Sequence, residues 1–140
     1  MTKLSKLLSS VSAFLILSSA EVLALPPGYM ELPSGVPSSE VKVLTSNKGA
    51  QVMVIMSPIK KDIQEIDEAQ IQETKNKIKC NNYETGSDRK SFKGTGCTDP
   101  STGAELSFIV KLTGGKFIMV LHNDVVTDSD VQAIIDEYAG

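Results

Sequence analysis

Gly114-Gly115, lying between two apolar runs, is the tightest constraint on what this chain can become. Adjacent glycines supply the positive φ angles that a two-residue hairpin turn requires. Ser107–Leu112 and Lys116–His122 are therefore expected as antiparallel neighbours. With the glycines as the turn, Thr113 faces Lys116, Leu112 faces Phe117, Val110 faces Met119 and Phe108 faces Leu121. Side chains alternate across a strand, so these apolar pairs share one face. Lys111 with Ile118, Ile109 with Val120 and Ser107 with His122 share the other. A slip of one residue would set apolar against polar positions, so the pattern determines the register. Both faces are partly apolar, which predicts a central hairpin covered on both sides.

The cysteines predict a second hairpin just before it. Pairing Cys80 with Cys97 places Asn82 opposite Thr95, Tyr83 opposite Gly94, Glu84 opposite Lys93 and Thr85 opposite Phe92, with the turn near Asp88-Arg89. One charge pair and one aromatic-over-glycine pair thus follow from a register chosen only to join the cysteines. A loop of this length, closed by a disulfide, contributes about 3 kcal/mol through the entropy of the unfolded chain.

The N-terminus has the form of an export signal. Lys3 and Lys6 precede the apolar run Val11–Leu17, and small-residue cleavage sites follow at Ser18-Ser19-Ala20 and Val22-Leu23-Ala24. The run is short of the ~20 apolar residues that a membrane-spanning helix needs, so no transmembrane segment is expected once residues 1–24 are removed. An oxidising compartment favours a structural Cys80–Cys97 disulfide. There is no Cys-x-x-Cys pair, and two cysteines with one histidine are too few for a soft-ligand metal site. No motif implies a cofactor.

Loss of residues 1–24 from 140 leaves 116, enough for one domain. Lys3, Lys6 and Glu21 go with them, so 14 basic and 17 acidic residues become 12 and 16, and the formal charge moves from −3 to −4. A mildly acidic domain is poorly suited to nucleic acid. Few aromatics and no tryptophan argue against a stacking platform.

Residues 25–39 form a Pro/Gly/Ser-rich arm, with Tyr29-Met30-Glu31-Leu32 as a short strand candidate, and residues 40–140 form a single domain. Val41–Thr45 and Ala50–Met56 read as a hairpin around Ser46-Asn47-Lys48-Gly49. Ile59–Lys79 carries an isoleucine stripe at helical period. The capping box Asp67-Glu68-Ala69-Gln70 sets an alternative start at Asp67, with a turn before it. In the last segment Thr127 can cap, Val126 can staple onto Val131, and Val131, Ile134, Ile135 and Tyr138 make an apolar stripe. The expected fold is α+β: an N-terminal hairpin plus a four-strand meander in an antiparallel sheet, packed by two helices and held by one disulfide.

Chemistry is sparse. His122 ends a strand with Ser107 opposite and Asp124 two residues on, the residue types of nucleophilic catalysis. Ser107 would sit mid-sheet, however, and no Gly-x-Ser-x-Gly elbow exists. A strand-end histidine bonding a neighbour is the plainer reading, and no catalytic residue is assigned. The acids from Asp62 to Glu73 fit a solvated helix face, and Asp124, Asp128 and Asp130 lack the spacing of a calcium loop. The stretch Thr85–Glu105 gathers Arg89, Lys90 and Lys93 among glycines beside the cysteines, giving a candidate partner-binding surface. An ordinary hairpin end is the bland alternative.

A glycine-proline arm, the strand Val52-Met53-Val54-Ile55-Met56-Ser57-Pro58, a helix, a meander and a final helix together resemble the small PsbP-like module over about Gly28 to Tyr138. Bacterial members are exported envelope proteins of poorly defined role, so the resemblance implies export without assigning a functional residue. The expectation is a non-enzymatic periplasmic accessory protein that binds a protein partner in the envelope. A secreted inhibitor or immunity-type protein and a small hydrolase using His122 are the alternatives.

Overall fold

A computed structural model describes residues 25–32, 40–59 and 63–140. The export signal, Pro33 and Pro37 of the arm, and Asp62 lie outside the described residues. The strands are β1 (Tyr29–Leu32), β2 (Val41–Ser46), β3 (Gln51–Pro58), β4 (Lys79–Thr85), β5 (Ser91–Thr98), β6 (Glu105–Thr113) and β7 (Lys116–His122). Helix α1 (Glu68–Lys77) separates β3 from β4, and α2 (Asp128–Ala139) ends the chain. The strands form one antiparallel sheet in the order β1-β2-β3-β7-β6-β5-β4.

The fold is α+β as expected, but the sheet is larger than a hairpin plus four strands. The arm itself supplies β1, which pairs Tyr29 with Ser46 and Leu32 with Val43. Helix α2 holds it there from above. The Tyr29 hydroxyl donates to Asp130 at 3.1 Å, the Tyr138 hydroxyl to Glu31 at 2.9 Å, and Lys42 pairs with Glu31 at 3.5 Å. Nor does the N-terminal hairpin stand apart, because β3 pairs with β7 from Val52–His122 to Pro58–Lys116.

The two hairpin registers agree pair for pair with those set by the glycines and the cysteines. Gly114 and Gly115 take φ of 61° and 76°. A Cβ on Gly114 would also come within 2.4 Å of the Ala139 carbonyl oxygen, so this turn needs glycine for space as well as conformation. Both helices start where their caps place them. Asp67 and Gln70 exchange side-chain-to-backbone bonds at 2.9 and 3.3 Å, so α1 begins at Glu68 rather than near Ile59. The Thr127 hydroxyl accepts from the Asp130 N–H.

Each helix roofs half of one sheet face, and the two halves are diagonal to one another. Val131, Ile134, Ile135 and Tyr138 of α2 close a core with Val54 and Val120 on the first face. On the second face, Ile71 and the preceding Ile66 lie over Phe92, Phe108 and Cys97. Among the described residues no helix is long and apolar enough to cross a membrane.

Candidate functional site

The Cys80–Cys97 disulfide joins directly opposed residues whose Cα atoms are 3.8 Å apart, with Cys97 fully buried. Gly94 leaves room for it. A Cβ there would stand 2.4 Å from the Phe108 ring and 2.7 Å from the Cys80 sulfur. Phe92 packs between Tyr83, stacked at 6.0 Å, and Phe108, tilted at 5.5 Å. The Tyr83 hydroxyl donates to the Ile78 carbonyl at 2.6 Å and accepts from the Cys80 N–H at 2.9 Å. The disulfide therefore sits inside an aromatic cluster under α1.

His122 is half-buried at the end of β7, and its Nδ1 bonds the Asn123 carbonyl at 2.9 Å. A carbonyl only accepts, so Nδ1 carries the proton. Ser107 is its cross-strand neighbour, and Asp124 is exposed in the following turn. No hydrogen bond joins the three among the described residues, which likewise hold no group of three or more His, Cys, Asp or Glu placed to bind a metal ion.

The basic residues of the β4–β5 hairpin do not form one surface. Arg89 turns toward α1, reaching Glu68 at 3.4 Å and Glu65 at 4.0 Å, and bonds the Ile66 carbonyl. Together with Gln72, which donates to it first, Arg89 holds the Glu68 carboxyl below its usual range. Lys93 pairs with Glu84 at 3.4 Å on the opposite face of the sheet. Lys90 is exposed at the turn.

Among the described residues no helix covers the other two half-faces, and these differ sharply. Over β4 and β5 the first face carries Glu84 with Lys93 and Asn82 with Thr95, as a solvated antiparallel face should. Over β1, β2, β3 and β7 the second face carries no charged residue. Met30 is 57% exposed, Leu32 38% and Met53 42%, while Ile55, Met119 and Leu121 are half-buried beside them. Where this surface meets α1 it deepens into a groove of about 200 Å³. Its floor includes Ile55, Phe117 and Met119, and its wall is Ile66, just before α1, with Gln70 and Thr74 of α1. Alternation along each strand was legible in the sequence. That α1 would cover only half of this face was not, because the placement of a helix over a sheet has no local signature. Comparison with protein-family models, curated proteins and solved structures finds no match to this chain, and nothing in them links it to the PsbP-like module.

Proposed function

We propose that this is an exported, non-enzymatic binding protein that works by contact with a protein partner in the bacterial envelope. One observation carries the reading: an antiparallel sheet face open to solvent would be expected to alternate with polar and charged residues, and the half-face over β1, β2, β3 and β7 has none that are charged. Contiguous apolar surface of this kind marks interaction sites in soluble proteins. Methionine is also over-represented at interfaces, where its flexible thioether adapts to partners, and Met30, Met53 and Met119 all lie here. The leader-like residues 1–24 and the disulfide support an oxidising, exported setting. The basic hairpin serves this reading as a rim, with Lys90 exposed at its turn.

Site-specific photocross-linking in cells tests it. A benzoylphenylalanine residue in place of Met53 should give an adduct heavier than the chain, and the same residue in place of Asn82, on the polar half-face, should not. Adducts confined to position 90 would move the contact to the basic hairpin. With none at 53 or 90, the binding reading falls.

A further inference from the structure

We infer that the open half-face receives a single amphipathic helix from the partner, laid beside α1; this rests on the binding reading above. The same strands show what covers such a footprint. On their opposite face Val52, Val54 and Met56 of β3, with Ile118 and Val120 of β7, lie under α2, with Val126, Leu25 and Tyr29 closing its margins. That helix has 12 residues, a length of about 18 Å. A helix of equal length fits the open side, and the groove gives it two surfaces at once. The floor is apolar apart from Ser57, and the wall presents Gln70 and Thr74, one turn apart on α1 and uncharged. Thr74 already donates to the Gln70 carbonyl and the Gln70 Oε1 accepts from the Asp67 N–H, so the Gln70 amide NH2 is the group that a polar atom of the occupant has to satisfy.

A second copy of the chain fits less well. Four strands about 4.8 Å apart and some 20 Å long offer about 400 Å², against about 800 Å² per partner in a stable interface. Nor does the described part of the chain have a spare apolar helix to offer. The apolar stripe of α2 is buried, and the exposed positions of α1 include Glu68, Gln72, Glu73 and Lys77. The occupant is therefore a helix with Leu, Ile, Met or Phe at i, i+3, i+4 and i+7. Because the chain is acidic overall, at −3, a lysine-bearing polar side would be drawn in at long range.

A display library of 14-residue peptides, panned on protein purified after expression of the full 140-residue chain, tests this. Enriched peptides should share the apolar stripe. A synthetic copy should gain helical circular dichroism on binding and lose about tenfold or more in affinity against Met53→Lys, with no loss against Asn82→Lys. Leu32→Lys is the second variant if Met53→Lys fails to fold. Several results overturn the inference: enriched peptides that bind without helix formation, as an added strand on β1 would; dimers in sedimentation that Met53→Lys dissociates; binding of phosphatidylcholine vesicles but of no peptide; or residues 1–24 retained by mass and protecting Met53 from oxidation. If Met53 cross-links a partner in cells while no striped helix is selected, the helix falls and the binding reading stands. Absence of any adduct removes both.

Discussion

Arg89 grips Ile66 from both sides: its carbonyl accepts the Ile66 N–H at 2.8 Å, and its guanidinium donates to the Ile66 carbonyl at 3.4 Å. Ile66 is 2% exposed and caps the aromatic cluster, so the β4–β5 turn is the anchor for the lead-in to α1. Arg89 does this at φ 58°, a left-handed conformation that side chains other than glycine adopt at a cost.

Two substitutions separate grip from strain. Arg89→Ala loses the guanidinium contacts and keeps the strained backbone, and should cost about 1–2 kcal/mol. Arg89→Gly loses the same contacts but relieves the strain, and should be milder by up to about 1 kcal/mol. Lys90→Ser should stay within about ±0.5 kcal/mol. Urea denaturation of the three variants makes the comparison, and equal losses at Arg89→Ala and Lys90→Ser would show that the grip contributes nothing.

Gly94 should tolerate no side chain. The added methyl of Gly94→Ala has the Phe108 ring and the disulfide sulfur in its way, both inside a packed cluster, and overpacking of this sort costs about 1–3 kcal/mol. Gly94 is not among the glycines at positive φ, so thermal unfolding of Gly94→Ala against the unsubstituted protein measures the packing cost, and an unchanged midpoint would show that the cluster has room.

Removing the cross-link should weaken the fold without changing its register. The disulfide closes a separation of 17 residues, worth about 3 kcal/mol in unfolded-state entropy. The double Cys80→Ser, Cys97→Ser variant should unfold at lower urea yet keep the pairing of Glu84 with Lys93, which turn chemistry and the ladder also specify. Alkylation of the native protein should find no thiol, and uptake of reagent before reduction would rule out the pairing.

Stability should fall on the alkaline side through two phenols. Burial first, then the bond to Asp130, pushes Tyr29 up to about 12; burial, then the bond to Glu31 and the charges of Glu31 and Glu137, pushes Tyr138 up as well. The folded state thus holds these protons more tightly than the unfolded chain, whose phenols ionise near 10. Their contribution is complete below about pH 10 and is lost as pH rises through the folded values. Tyr29→Phe and Tyr138→Phe should each cost about 0.5–1.5 kcal/mol at neutral pH and flatten the decline above pH 10. A slope unchanged in both variants would assign that decline to other groups.

His122→Ala should cost about 1 kcal/mol, the net worth of one ordinary hydrogen bond. Cross-linking through Met53 should be unaffected. A folded variant that loses all biological activity would return His122 to the catalytic reading.

What the sequence determined by itself was local. Gly114-Gly115, Cys80 with Cys97, Asp67 with Gln70 and Thr127 with Asp130 each act over a few residues or across one turn, and each set a register or a boundary that the structure shares. The period of two in β6 and β7 likewise identified their apolar pairs. What only the tertiary structure decided depends on residues far apart in the chain. Joining β1 to the sheet needs Tyr29 to find Asp130 and Glu31 to find Tyr138, more than 100 residues away. Arg89 reads as part of a partner-binding surface until Glu68 and Ile66 are folded against it. Above all, alternation shows that a strand has two faces but not which helix will roof them. The charge-free half-face becomes visible as a surface only once α2 and α1 have taken the other positions, because burial depends on the whole packing arrangement and not on any one stretch of chain.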